Sequence, residues 1–387
     1  MQPPVALTAP PLSRPWRAEL PEILLSGGAT LVVFPLLWAL RWVFGLDRAE
    51  LAVGFSAFYA AHVLNDPHFS VSYLLFYRDL RARVWSTETS RLQRLRYVVA
   101  GFVVPVLLLA WVSHALSQRS ASSLGLMIQL MFVLVGWHYV KQGFGVLAVL
   151  CLRRGVAFTR TERYVLVSHC FAAWAYAWLE PSDPGRLVEE KGVVYTTIAH
   201  GRNLELAGLV AVLLSLALVL VALVQKWRRE GRMVPPGPLL CFFVSVWVWT
   251  VFMSKDPLLV YVIPALHSLQ YLYFVWVMKR NQAVAEEGPP LFGRPLRTRV
   301  GLLFASALGL GWLLFHAAPT LLDAAWVPRG ARGAREMGDL GVTPFFAAIF
   351  AFVNIHHYFM DHVIWRRENP ETRYLARDTE HRRKAAT

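Results

Sequence analysis

Four stretches of the sequence set ionisable and strongly polar side chains inside otherwise apolar runs. HVLNDPHF supplies His62, Asn65, Asp66 and His68, and GWHYVKQGF supplies His138, Lys141 and Gln142. HSLQY supplies His267, Gln270 and Tyr271, and NIHHYFMDH supplies Asn354, His356, His357, Asp361 and His362. Imidazole and carboxylate donors without thiolates suit non-haem iron, and also zinc, copper or manganese. His62, His68, His138, His267, His356, His357 and His362 are therefore candidate metal ligands, enough with one or two carboxylates to hold two ions. Asp66, Lys141, Tyr271 and Asp361 form the candidate catalytic set. The aspartates act as ligands or orienting partners, while Lys141 is expected to pair with a carboxylate or an anionic headgroup. Gln142, Gln270 and Tyr271 are expected to hold hydrogen bonds around the pocket.

The spacing sharpens this reading. Each stretch puts a polar group one turn after a histidine: His62 with Asp66, His138 with Gln142, His267 with Tyr271 and His357 with Asp361. Residues four apart share a helix face, and a ligating imidazole usually donates its second ring N–H to a carboxylate or carbonyl. Pro67 cannot donate to the carbonyl of Val63 and is expected to kink its helix. Such a kink would bring His68 onto the face of His62, from which six residues of separation otherwise turn it by about 120°.

The elements that must position these residues are membrane spans. The chain has 387 residues, 56% of them hydrophobic and only 17% charged, with a mean hydropathy of +0.42. That exceeds the apolar share of a soluble domain and predicts an all-α, polytopic membrane helix bundle. A bilayer core needs about 20 apolar residues per helix. Ten segments qualify: approximately 23–46, 51–77, 95–117, 123–151, 162–180, 204–226, 237–255, 256–279, 299–320 and 340–365.

The formal charge of +14 does not point to nucleic acid, because the arginines cluster in alternate connections between apolar runs. Arg78 to Arg96, Arg153 to Arg163, Lys226 to Arg232, Lys279 to Arg299 and the stretch from Arg366 to Lys384 follow the even-numbered segments. The odd-numbered connections are poorer, with only Arg119 after the third segment and only Lys255 after the seventh. This alternation predicts both termini on the cytoplasmic side, in a bacterial inner membrane. The expected organisation is a cytoplasmic segment over 1–22, a transmembrane domain over 23–366 and a basic cytoplasmic tail over 367–387. The Pro-rich start does not have the pattern of a cleaved signal. The polar connection over 181–203 is expected outside, and 285–298 is a Gly/Pro-containing cytoplasmic loop. Cys151, Cys170 and Cys241 form no CxxC pair and predict neither a disulfide nor a thiolate site.

In this topology the four polar segments run in one direction. Counted back from their basic ends, His62, His138 and His267 lie roughly 18 to 24 Å deep, and His68, His356 and His357 roughly 13 to 15 Å. Ionisable groups at such depth cost roughly 2.5 to 3.5 kcal/mol each and mark function by default. For any single histidine the competing reading is a hydrogen-bonded core imidazole. His169 lies at similar depth, whereas His114, His200 and His316 fall on the outer side and His381 in the tail, and no role is assigned to these four.

Histidines spread over membrane helices resemble the integral-membrane non-haem di-iron oxygenases, although the HxxxH and HxxHH boxes of the lipid desaturases are absent. HVLND at 62–66 and HYFMD at 357–361 are similar to the His-to-Asp motifs of the bacteriorhodopsin-related (Brp/Blh) membrane carotene dioxygenases. The resemblance covers about a tenth of the chain. It implies an O2-dependent oxidation of a lipid, carotenoid or other isoprenoid at iron. The expected partners are a lipophilic substrate, membrane lipid and an electron-donor protein. Two other functions fit intramembrane His, Asp and Lys: a proton-coupled transporter or channel, marked by discontinuous helices or repeats, and a haem-binding redox protein with facing histidine pairs.

Overall fold

A computed structural model of the chain describes residues 16–86, 89–179, 185–285, 296–327 and 340–376. Residues 1–15, the tail beyond 376 with His381, and most of the 285–298 loop lie outside the described residues. The protein is mostly helical. The helices are α1 (Trp16–Ile23), α2 (Thr30–Phe44), α3 (Leu46–Val63), α4 (Asn65–Arg78), α5 (Leu80–Trp85), α6 (Arg91–Val98), α7 (Val104–Ser117), α8 (Ala121–Arg153) and α9 (Arg160–Leu179). After a hairpin of β1 (Leu187–Glu190) and β2 (Val193–Thr196) come α10 (Arg202–Glu230), α11 (Pro236–Phe243), α12 (Pro257–Ala285), α13 (Leu296–Trp312), α14 (Ala318–Trp326), α15 (Pro344–Ile364) and α16 (Arg373–Ala376).

Each of the ten apolar segments coincides with a helix or an interrupted helix pair. Among the described residues, five helices are long and apolar enough to cross a membrane: Arg91–Ser117, Ala121–Arg153, Arg202–Glu230, Pro257–Ala285 and Arg297–Trp326. A sixth is reached if Glu19–Gly28 and Thr30–Phe44, bent by 59° at their junction, are one broken span. The bend has a local cause. Gly27 adopts φ +128°, a conformation that side-chain-bearing residues rarely take. Of the other four expected spans, 162–180 forms the 20-residue α9, which carries Arg160, Glu162 and Arg163 in its first turn, and three depart from the plain pattern for visible reasons. The 51–77 segment breaks at Leu64 into α3 and α4, Pro236–Val251 is short, and α15 is crowded with His, Asn and Asp.

Polar staples gather the Arg-rich helix ends at one end of the bundle. Glu22 accepts from Arg153 at 2.5 Å and Arg154 at 2.9 Å. Glu371 takes Arg78 at 2.6 Å, Arg83 at 3.0 Å and Lys279 at 3.4 Å. The connection expected as a polar loop instead forms the β1–β2 hairpin, paired from Leu187↔Thr196 to Glu190↔Val193. Its Val193 and Tyr195 are buried, and Tyr195 lies where a Cβ on Gly125 of α8 would sit.

Several helices contain a π turn, at Leu24–Gly28, Val99–Val103, Val244–Val251 and Leu313–Ala317. Such turns release backbone groups from the regular ladder and are frequent near functional sites. Three of them meet histidines, among them Val244–Val251, whose Trp247 indole donates to His169. The carbonyl of Ala100 accepts from the His356 ring, and the turn over 313–317 carries His316.

Candidate metal centre

The centre is assembled by α4, α8, α12 and α15. His68 comes from α4, His138 from α8, His267 from α12, and His357 with Asp361 from α15. One ligand atom from each of His68, His138, His357 and Asp361 lies within 4.8 Å of all the others, and all four residues are buried. His357 Nε2 is 3.5 Å and His138 Nε2 3.8 Å from Asp361 Oδ2. The His267 Nε2 approaches His138 Nε2 to 3.1 Å, making a fifth ring in the same cluster.

The hydrogen bonds behind these groups leave a particular set of atoms free. Asp361 Oδ1 accepts from Ser72 at 2.8 Å and from Tyr271 at 2.9 Å, with Ser72 and Tyr271 themselves 2.5 Å apart. Among the described residues its Oδ2 has no hydrogen-bond partner. His68 Nδ1 lies 3.0 Å from the Ser268 hydroxyl, while its Nε2 has none. Both nitrogens of His357 and Nδ1 of His267 are likewise unpartnered. Buried polar atoms in native proteins are nearly always satisfied, and an orphan costs about 1–3 kcal/mol. Here the orphans include a carboxylate oxygen and imidazole nitrogens aimed at one another. That donor set fits a cation, which each would reach at about 2.0–2.2 Å.

Gln142 and Gln270 lie beside this cluster. Gln142 Nε2 donates to Gln270 Oε1 at 2.7 Å and to the His267 carbonyl at 3.5 Å. Gln270 in turn donates to the Ser26 carbonyl, beside the Gly27 bend. The polar groups one turn after His138 and His267 therefore bond across helices instead of to their own histidine: Gln142 to α12, and Tyr271 to Asp361.

The seven candidate ligands do not form a single site. His356 precedes His357 and is turned about 100° away. Its Nδ1 meets Tyr73 at 3.0 Å and its Nε2 the Ala100 carbonyl at 2.9 Å, so it is a satisfied core imidazole with no nitrogen to spare. His362 is held between Lys141, 2.8 Å from Nδ1, and Arg366, 2.6 Å from Nε2. Lys141 thus pairs with His362 and not with a carboxylate.

His62 also lies elsewhere. The break at Leu64, next to the Val63 carbonyl that Pro67 cannot serve, turns His62 and His68 apart instead of bringing them to one face. Pro67 itself sits in the first turn of α4, where no N–H is required. Asp66 and His68 are two residues apart, about 200° around the helix, and so face opposite sides of α4. On the side of Asp66 a second group forms from His62, Asp66 and His316, whose ligand atoms also lie within 4.8 Å of one another. His316 Nε2 is 2.7 Å from Asp66 Oδ2, and the His62 and His316 rings stack at 4.1 Å. The close passage of α13 permits this: a Cβ on Gly311 would come within 2.8 Å of Asp66.

Sequence reasoning passed over His316, Ser72 and Ser268. The sequence places His316 on the outer side with no role, although an imidazole within an apolar segment is itself a signal. Ser72 falls four residues after His68, the spacing used for the other partners. His169 bonds Ser215 at 3.0 Å and the Trp247 indole at 3.2 Å and belongs to the apolar core. Cys151, Cys170 and Cys241 are buried free thiols.

Comparison with known proteins found no matching family model, no matching curated protein and no matching solved structure.

Proposed function

We propose that the protein is a membrane-embedded non-haem metal oxygenase acting on a lipophilic substrate, with iron held by His68, His138, His357 and Asp361. The observation that carries this reading is the convergence of buried His68, His138 and His357 nitrogens with an Asp361 oxygen from three helices, the His68, His357 and Asp361 atoms being without a partner among the described residues. One ion is proposed, not the pair expected from the ligand count, because Asp361 commits Oδ1 to Ser72 and Tyr271 and offers only Oδ2.

The chain's own residues then have distinct tasks. Ser268, accepting from His68 Nδ1, fixes the tautomer that presents the Nε2 lone pair to the centre. Ser72 and Tyr271 hold the carboxylate plane. His267 supplies either a further ligand or a hydrogen bond to His138. Iron there would supply O2 activation toward a C–H or C=C bond of a chain delivered by the bilayer. Hydroxylation or desaturation draws two electrons from a donor protein, whereas dioxygenase cleavage of a carotenoid or other isoprenoid needs none. The proposed setting is a ten-span bundle in a bacterial inner membrane, with both termini cytoplasmic, as the alternating arginines indicate.

Metal analysis of the detergent-purified protein tests the reading. About one iron per chain is expected in the wild type, with clear loss in His138→Ala and His357→Ala variants that still elute as folded protein. Absence of metal from protein prepared anaerobically with ample iron overturns it.

A second reading, a proton-coupled transporter, is favoured by the broken span at Gly27 and the split of α3 from α4. Discontinuous helices are the mark of that class. Proton uptake driven by a solute gradient in proteoliposomes would select it.

A further inference from the structure

At the Arg-rich end of the bundle a polar feature lies outside the metal cluster. Lys141 Nζ stands 2.8 Å from Nδ1 of His362, and Arg366 stands 2.6 Å from Nε2 of the same ring. A neutral imidazole offers one acceptor nitrogen, so two cationic donors exceed what this ring can accept. The neighbouring cations are treated differently. Glu22 pairs with Arg153 and Arg154, Glu371 pairs with Arg78, Arg83 and Lys279, and Glu162 with Glu230 pairs with Lys226 and Arg229. Glu368 pairs with Arg96. Among the described residues, no carboxylate stands within ion-pair distance of Lys141 or Arg366. Two half-buried like charges flanking one ring call for an anion.

The position suits a particular kind of anion. Lys141 lies over the Trp137 ring, 5.1 Å from its centre, a pairing of aromatic and cation common at headgroup level. It follows His138 by three residues, roughly 5 Å of helix rise. His362 directly follows Asp361, and Arg366 comes one turn later. The cationic pair therefore sits between the histidine cluster and the basic helix ends. All three side chains are only partly buried, so a headgroup can reach them.

We propose that Lys141 and Arg366, with His362 between them, form an oxyanion site that seats the carboxylate or phosphate of a membrane amphiphile. As an identification of substrate class this rests on the oxygenase reading; the binding itself does not. The oxyanion accepts charge-assisted hydrogen bonds from the ammonium and the guanidinium, while its chain lies along α8 and α15 toward the histidines.

The test is a titration of the full chain in neutral detergent with oleate, dioleoyl phosphatidate, oleyl alcohol and inorganic phosphate. Oleate or phosphatidate, whichever carries the natural headgroup chemistry, is expected to bind at least about tenfold more tightly than oleyl alcohol or inorganic phosphate. Lys141→Gln and Arg366→Gln should each weaken that binding about tenfold, Lys141→Arg should retain it, and iron content should not change. The two glutamine variants serve as each other's control if one fails to fold. Equal binding of oleyl alcohol, equal binding of inorganic phosphate, or unaltered affinity in the variants overturns the proposal. The two readings fail separately: anion binding without metal sinks the oxygenase alone, and metal without anion binding sinks the oxyanion site alone.

Discussion

Two histidine–aspartate groups lie back to back across α4, built from the same residue types, and they differ in what their polar atoms already have. In the group of His62, Asp66 and His316, the carboxylate meets an imidazole at 2.7 Å. The pair satisfies itself, and His62 Nδ1 is bonded to the Phe58 carbonyl of its own helix at 3.1 Å. In the group of His68, His138, His357 and Asp361, the carboxylate is held from behind by two hydroxyls, while among the described residues its other oxygen and the facing nitrogens of His68 and His357 have no partner. A cluster of metal-binding residue types is not by itself a metal site. What separates the two is which lone pairs the surrounding helices have left unspent.

The largest effect should come from the carboxylates. Asp361→Ala is expected to lower metal affinity by about a hundredfold or more, since it removes a proposed ligand and not merely a ligand's support. Asp66→Ala should leave metal content intact and instead cost about 1–3 kcal/mol of stability, from the unpaired His316. Metal analysis beside thermal unfolding reads both. Metal loss in Asp66→Ala with retention in Asp361→Ala would reverse the assignment of the two groups.

The next effect concerns the hydroxyls behind Asp361. Tyr271→Phe and Ser72→Ala each remove one donor to Oδ1 and are expected to weaken metal binding 10- to 100-fold, measured as faster loss of metal to a chelator. Unchanged metal retention in both would mean that Asp361 does not need its orientation fixed, and would count against its role as ligand.

Much of this arrangement could be read from the residues. The apolar runs locate the helices because a bilayer demands about 20 such residues in a row, and the four helices that build the centre are those the polar motifs marked. The His357 to Asp361 spacing also identifies which of two adjacent histidines faces inward, since only one shares a face with the aspartate. The partners across helices were not legible. Asp66 finds His316 some 250 residues away, through a close helix approach at Gly311 and a π turn that no local pattern announces. The bend at Gly27 and the break at Leu64 likewise depend on backbone choices that composition leaves open, and the break reversed the expected relation of His62 to His68.

A smaller effect is expected at His356, where one satisfied imidazole can be weighed against the orphaned ones. His356→Phe keeps the ring volume but strips partners from the Tyr73 hydroxyl and the Ala100 carbonyl, costing about 1–3 kcal/mol with metal content unchanged. Loss of metal in this variant would show that its neighbour His357 depends on it for position.

The smallest effect belongs to His62. It is half-buried, its hydrogen bond stays within α3, and its main contact is the stack on His316 at 4.1 Å. Removing such a ring contact costs about 0.5–1.5 kcal/mol at most, so His62→Ala should shift thermal unfolding slightly and leave metal binding untouched. The variant is informative because of its expected silence. If His62→Ala releases metal while Asp66→Ala does not, the imidazole reaches an ion without its neighbouring carboxylate, and the separation of the two groups by α4 fails. If both are silent toward metal, the HVLND motif serves helix packing on one side of α4 while His68, two residues further on, serves the metal centre on the other.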